Sequence, residues 1–336
     1  MTEMTETPVR RPMTFSFLEL LDRTFRLYRE NFLTIIGVVA VVTVPISLIT
    51  YFLNQSVYAS QSSTLRTSTA ASGALFLISI LGLVQAVLTN APVIYIASEY
   101  LFNHKVSIGE AFSGTSSRFT KMGCGIILLG IFIVVVALLA TFLVAAIPPA
   151  LALLGILIYI FVASFSVFFQ VITLEDIGAS AAITRSYTLG KRSFWTVVGL
   201  SIVVTIIGLI VTTIINGSST FLINSIAPGQ SYTTQTLLIT LVRQLVNIFT
   251  TPISLIAFTL LYYDIRTRTE GLDIMLDSSG PAARPLNFAP PENRFRFDGH
   301  DWRNIAILTA VGLVVGLLGS AVVKTIIDQY SGLLRR

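Results

Sequence analysis

The chain has 336 residues, 54% of them hydrophobic and only 12% charged, with a formal net charge of +5. Charged residues make up roughly a quarter of an average soluble protein, so this composition excludes one large soluble globule and implies a multi-span membrane protein. A single cysteine, Cys124, excludes an internal disulfide and a cysteine metal cluster.

Residues 1–13 read as a disordered polar tail, MTEMTETPVRRPM, without the apolar core and cleavage site of a signal peptide. The first apolar run is therefore expected to stay as a span. Before it lies FSFLELLDRTFRLYRENF, where Phe17, Leu21, Phe25, Tyr28 and Phe32 recur at steps of three or four. That spacing predicts an amphipathic helix lying on the membrane surface. Glu19/Arg23, Asp22/Arg26 and Arg26/Glu30 are spaced as i,i+4 pairs across its charged side.

Length and lack of charge predict seven spans, at about 32–53, 74–101, 123–147, 150–171, 194–215, 237–263 and 304–327. The first loop, around Arg66, is Ser/Thr-rich and reads as flexible. Asn90 and Pro92 are placed to kink the second span. Pro148-Pro149 forces a tight antiparallel hairpin between spans three and four. The segment from Asn216 to Thr236 has no charge and reads as a loop. Lys and Arg cluster before the first span and after the second, fourth and sixth, while the opposite loops hold only Arg66. The positive-inside rule then predicts a cell-membrane protein with its N-terminus in the cytoplasm. A crossing seventh span would put the C-terminus outside.

Three basic segments precede the hairpins: Ser16–Phe32, Ser107–Gly123 and Asp176–Phe194. Each begins with a residue able to cap a helix, namely Ser16, Ser107 and Asp176. Glu19 and Glu110 occupy matching places, and Ile108-Gly109 matches Ile177-Gly178. Three units of surface helix plus hairpin follow, 14–101, 106–172 and 176–264. Internal duplication and the general basic-loop pattern of an even-span protein both account for them. The predicted fold class is thus all-α: a polytopic membrane helix bundle with a six-span core and a seventh C-terminal span. Its parts are the tail, a six-span domain over 14–275, a Pro-rich cytoplasmic linker over 276–303, and the seventh span and tail over 304–336. Deleting 279–336 is expected to leave the core folded. Gly312, Gly316 and Ser320 recur every four residues in the last span and suggest a helix-packing face.

The search for chemistry is mostly negative. His104 and His300 have no metal-ligand spacing, and no GxSxG, P-loop, HExxH or CxxC motif occurs. No catalytic, cofactor or metal residues are assigned, no nucleic-acid partner is implied, and an enzyme is not expected. Glu99, Glu175, Asp176 and Asp264 are the carboxylates that share one headgroup level, with Lys105, Arg185 and Arg266 near them in sequence. Asp264 ends the sixth span, where its charge opposes the helix dipole. It is expected to pair with Arg185 or else with Arg26 or Arg29, clamping the span to a surface helix. Arg243 either snorkels to the outer interface or lines a polar cavity with Asn247 and Asn90.

Three stretches carry a resemblance: RPMTFSFLELLDRTFRLYRENF, FFQVITLEDIGASAAITRSYTLGKRSFW and LLYYDIRTRTEGLD. The last contains Asp264, Arg266, Arg268, Glu270 and Asp273. Over about 14–275 the chain resembles the membrane domain associated with glycerophosphodiester phosphodiesterases, and related bacterial six-span proteins. The resemblance implies a six-span membrane domain. The soluble catalytic domain sometimes fused to it is not recognised in this sequence. The expected role is a membrane module that is structural, lipid-interacting or partner-binding, touching the anionic inner leaflet and a membrane-protein partner or a second copy. The alternative is a small-solute or lipid transporter with its polar route near Arg243, Asn247 and Asn90.

Overall fold

The computed structural model describes residues 14–60, 67–144, 150–226, 232–280, 283–284, 288 and 295–314. In chain order they form α1 (Phe17–Glu30), α2 (Phe32–Ser60), α3 (Thr67–Leu101), α4 (Ile108–Ser113), a 3-10 turn (Ser116–Arg118), α5 (Phe119–Val144) and α6 (Ala150–Phe165). Then come α7 (Phe168–Glu175), α8 (Ala179–Arg192), α9 (Phe194–Ile226), α10 (Tyr232–Glu270) and α11 (Leu272–Ser278). A further helix, α12, is described over 299–314. Among the described residues there is no strand. Six stretches are long and apolar enough to cross a membrane: Phe32–Asn54, Ser72–Leu101, Ile108–Leu139, Gly155–Glu175, Phe194–Ile215 and Thr240–Glu270. The protein is an all-α polytopic helix bundle.

Local chemistry explains two of the three hairpin leaders. Ser16 Oγ accepts the Glu19 N–H at 3.3 Å while Glu19 accepts the Ser16 N–H at 3.5 Å. Ser107 and Glu110 repeat this capping box at 3.3 and 2.8 Å. Each box satisfies two helix-end donors, which fixes where α1 and α4 begin. The third leader differs. Its N-cap is Gly178, without a side-chain bond, and Asp176 closes α7 in the left-handed region at φ 53°.

The position of α1 also departs from expectation. Phe15 N–H donates to Asp264, and Tyr28 Oη donates to the Phe249 carbonyl. The chain thus climbs α10 from 264 to 249 while α1 runs from 15 to 28, so α1 lies antiparallel along α10. Its fully buried stripe is Leu20, Thr24 and Leu27, while Phe25 is 46% exposed and Leu18 78%. A helix neighbour, rather than lipid alone, covers the inner stripe. On the charged side Arg23 pairs with Glu19 and Arg26 with Asp22. Glu30 does not pair with Arg26 but accepts the Tyr100 hydroxyl at 2.7 Å.

Three segments read as loops or spans are built otherwise. Helix α2 continues to Ser60 and α3 begins at Thr67, so most of the first Ser/Thr-rich loop is helical. Helix α9 likewise runs through Asn216-Gly217-Ser218 to Ile226. The fourth span breaks at Ser166-Val167, between α6 and α7. There Val167 N–H donates to Ser186 Oγ of α8 at 3.3 Å. Gly190 of α8 presses on the Ala163 carbonyl, which a Cβ at position 190 would strike.

The main hydrophobic core joins α1 to α5 and α7 to α11. A smaller one, Tyr159, Ala163, Tyr187, Phe194 and Ile305, joins α6, α8, α9 and α12. The described parts of the 276–303 segment are packed on the bundle. Ala283 is buried in the main core, and Phe295 stacks on Tyr187 with ring centroids 4.1 Å apart. A separable accessory is not what these contacts describe. Of the expected glycine face only Gly312 is described, and a Cβ there would meet nothing within 4 Å among the described residues. Instead Gly155 of α6 receives Thr309 of α12. Gly316 and Ser320 lie outside the described residues, as do Arg66 and the Pro148-Pro149 turn.

Candidate functional site

Most of the buried charge gathers at one end of the bundle, where α3, α7, α8 and α10 meet. Glu175 at the end of α7 accepts Arg185 Nε at 2.9 Å and the Tyr262 hydroxyl at 2.9 Å. The other side of the Arg185 guanidinium reaches Glu270, with Nη2 2.7 Å from Oε2. Arg266 closes the circuit, donating Nε to Glu270 at 3.0 Å and Nη1 to the Tyr262 hydroxyl at 2.9 Å. Two arginines and two glutamates thus cancel, and the side chains of Arg185, Glu175 and Arg266 are each at most 1% exposed. Burial alone would depress the Arg185 guanidinium, but its bonds to Glu270 and Glu175 outweigh this and hold it above the ordinary arginine value. Buried pairs of this kind recover their desolvation cost only when every donor and acceptor is used.

Two further pairs flank the circuit. Asp264 accepts Phe15 N–H at 2.7 Å and Arg268 Nε at 2.8 Å, and Arg268 Nη2 returns to the Phe15 carbonyl at 2.7 Å. The expected Asp264–Arg185 pair is therefore not formed. Arg268 stands one helical turn on from Asp264, within direct reach, and Arg185 is taken by Glu175 and Glu270. Arg26 and Arg29 are exposed and do not enter the network. The sixth span is still clamped to α1, through the backbone of Phe15. Glu99, at the end of α3, is gripped by Arg284 through Nε at 2.9 Å and Nη2 at 3.0 Å, with His104 Nδ1 at 3.3 Å. Arg284 also lies over the Phe102 ring, 4.3 Å from its centroid. Asp176 takes Lys121 Nζ at 2.7 Å.

On the far side of α8 a pocket of about 550 Å³ opens between the start of α9 and the start of α12. Lys191, Arg192, Trp195, His300 and Arg303 line it. Lys191 is answered by Asp298 at 3.1 Å and Asp301 at 3.4 Å, and Asp301 also takes the Tyr159 hydroxyl. The hydrogen bond from Lys191 holds the Asp298 carboxyl below its ordinary range. Trp195 Nε1 donates to Asn304 at 3.0 Å. Sequence reasoning missed this site and Arg284, because proline content masked both. The signal available was the alternation of aromatic and charged residues from Phe295 to Arg303, which a passive tether does not need.

A second pocket, of about 300 Å³, lies between α2, α3 and α10. Asn90 and Asn247 both line it. Arg243 does not; its side chain is exposed. Among the described residues no group of three or more His, Cys, Asp or Glu side chains converges as a metal site.

Fold and sites together define a multi-pass helical membrane protein with an ion-paired end. Residues 113–265 match a family model described as a domain of unknown function (DUF7847). The match takes in Glu175, Arg185 and Asp264 and stops just short of Arg266 and Glu270. Neither a curated protein nor a solved structure matches the chain.

Proposed function

We propose that the protein is a non-enzymatic membrane module that holds anionic lipid of the inner leaflet at its ion-paired end, with that end and the N-terminus in the cytoplasm. The basic segments at this end support the orientation. The pocket beside Trp195 carries the lipid assignment. Its three cations, Lys191, Arg192 and Arg303, face two carboxylates, Asp298 and Asp301, leaving a cationic surplus. Arginine forks suit phosphate oxygens, and the N-terminus of the long helix α9 adds favourable dipole at the same place. Trp195 and Trp302 are exposed beside it, as interfacial indoles are. The ion circuit supports a scaffold rather than a catalyst, since its acids and bases are engaged with one another. Kinship with the glycerophosphodiester phosphodiesterase membrane domain belongs to this same reading, because the stretch quoted for it, LLYYDIRTRTEGLD, takes in the end of α10 that carries the circuit and the start of α11.

Native mass spectrometry after mild detergent extraction tests the assignment. Phosphatidylglycerol should be retained several-fold over phosphatidylcholine, and Arg192→Gln with Arg303→Gln should remove most of that preference. Equal retention of both lipids by the unaltered protein would sink the reading.

A further inference from the structure

The pocket between α2, α3 and α10 carries several polar side chains in its lining although every residue that lines it lies within a candidate membrane span. Thr43, Gln85, Thr89, Asn90, Asn247 and Thr251 supply hydroxyls and amides, and no charged side chain lines it. Some of these groups find neighbours: Gln85 Nε2 lies 3.4 Å from Thr43 Oγ1, and Asn247 Nδ2 lies 3.3 Å from Gln244 Oε1. Thr89 does not. It is 4% exposed, and among the described residues its buried hydroxyl has no hydrogen-bond partner. An unmade hydrogen bond at a buried hydroxyl is costly, and polar groups in apolar surroundings mark function more often than packing.

The backbone points the same way. Among the described candidate spans, Pro45, Pro92 and Pro252 are the prolines inside a helix, and they fall one each in α2, α3 and α10. Each stands within two residues of a lining residue: Thr43, Asn90 or Thr251. A proline gives no N–H to the carbonyl four residues back, so each lining helix has a backbone acceptor to spare near the pocket. In a membrane such acceptors are tolerated where a cavity or a partner meets them.

We infer that this pocket binds an uncharged, hydroxyl-bearing ligand, at a site distinct from the anionic headgroup pocket. Hydroxyls both donate and accept, which matches walls that mix amide N–H, amide carbonyl and threonine hydroxyl. The lack of lining charge disfavours an ion, whose burial here would be uncompensated. The volume lies at the lower end of the range for small-molecule sites, enough for a polyol or the glycerol region of a neutral lipid. Gly82 and Asn247 of its lining are exposed, so the pocket is open to the surroundings of the bundle.

The test uses the full chain in phosphatidylcholine vesicles carrying a photoactivatable diacylglycerol. Crosslinks should concentrate on peptides of α2, α3 and α10 that contain the lining residues. Thr89→Val, which preserves shape, and Asn90→Leu should each reduce them at least threefold. Competition by unlabelled diacylglycerol but not by glycerol identifies a lipid ligand, and competition by both identifies a free polyol; either supports the site. Even labelling over all lipid-facing helices, or labelling unchanged in both variants, would overturn it. So would chain-to-chain crosslinks at these peptides, which would mean that a second copy covers the pocket.

Discussion

Arg185→Met should lower the unfolding free energy by about 3–5 kcal/mol, the cost of leaving buried charge unpaired. Arg185 is the hub of the circuit. Without it Glu175 keeps the Tyr262 hydroxyl and a longer approach from Arg266, 3.4 Å away, and Glu270 keeps only Arg266. Glu175→Met in the same chain should restore part of the loss, because a buried pair replaced by apolar side chains no longer carries its desolvation cost. Unfolding in detergent, monitored by tryptophan fluorescence, measures both. A loss under about 1 kcal/mol for Arg185→Met would mean that the pair behaves as a solvated surface bridge. A double variant no better than the sum of the singles would mean that the two residues are not coupled.

Removing residues 279–336 should be more damaging than any single substitution. The truncation takes away Arg284 and leaves Glu99 buried at the end of α3 with only His104 beside it. It also strips Asp298 and Asp301 from Lys191, and uncovers Tyr159, Tyr187 and Phe194 by removing Phe295, Phe297 and Ile305. Size-exclusion chromatography should show aggregation after extraction, while Arg284→Ala in the full chain should remain monodisperse with a lowered melting temperature. A truncated chain that elutes and melts like the full protein would show that the linker contacts contribute nothing.

The bundle was legible from span length and charge because membrane crossing imposes both on the sequence directly. The capping boxes at Ser16 and Ser107 were legible for a similar reason, as each needs only two residues three apart. Ion-pair partners on different helices were not, although the i,i+4 pairs Glu19/Arg23 and Asp22/Arg26 were. Glu175 and Glu270 meet on Arg185 across a long loop of chain, and nothing local distinguishes them from Glu99 or Asp264. For Asp264 the partner was sought on the surface helices, whereas Arg268, four residues on, stands one helical turn away and takes it. The extension of α9 through Asn216 to Ile226 was hidden by its composition, since Asn, Gly and Ser signal a loop wherever the helix lacks packed neighbours to override them. Asn90 and Asn247 drew attention in the sequence because an amide inside a span needs a polar reason, and both line the smaller pocket. Arg243, equally polar, reaches out of the bundle instead.

Orientation underlies every assignment made to the ion-paired end, since a headgroup site for inner-leaflet lipid requires that end to face the cytoplasm. Single cysteines at Ser62, Ser225, Ser116 and Ser278, in a chain with Cys124→Ser, measure it through an impermeant thiol reagent applied to intact cells. Positions 62 and 225 should label, and positions 116 and 278 should label only after the membrane is opened. Labelling of 116 and 278 on intact cells would place the charged circuit and the cationic pocket on the outer face and contradict the inner-leaflet assignment.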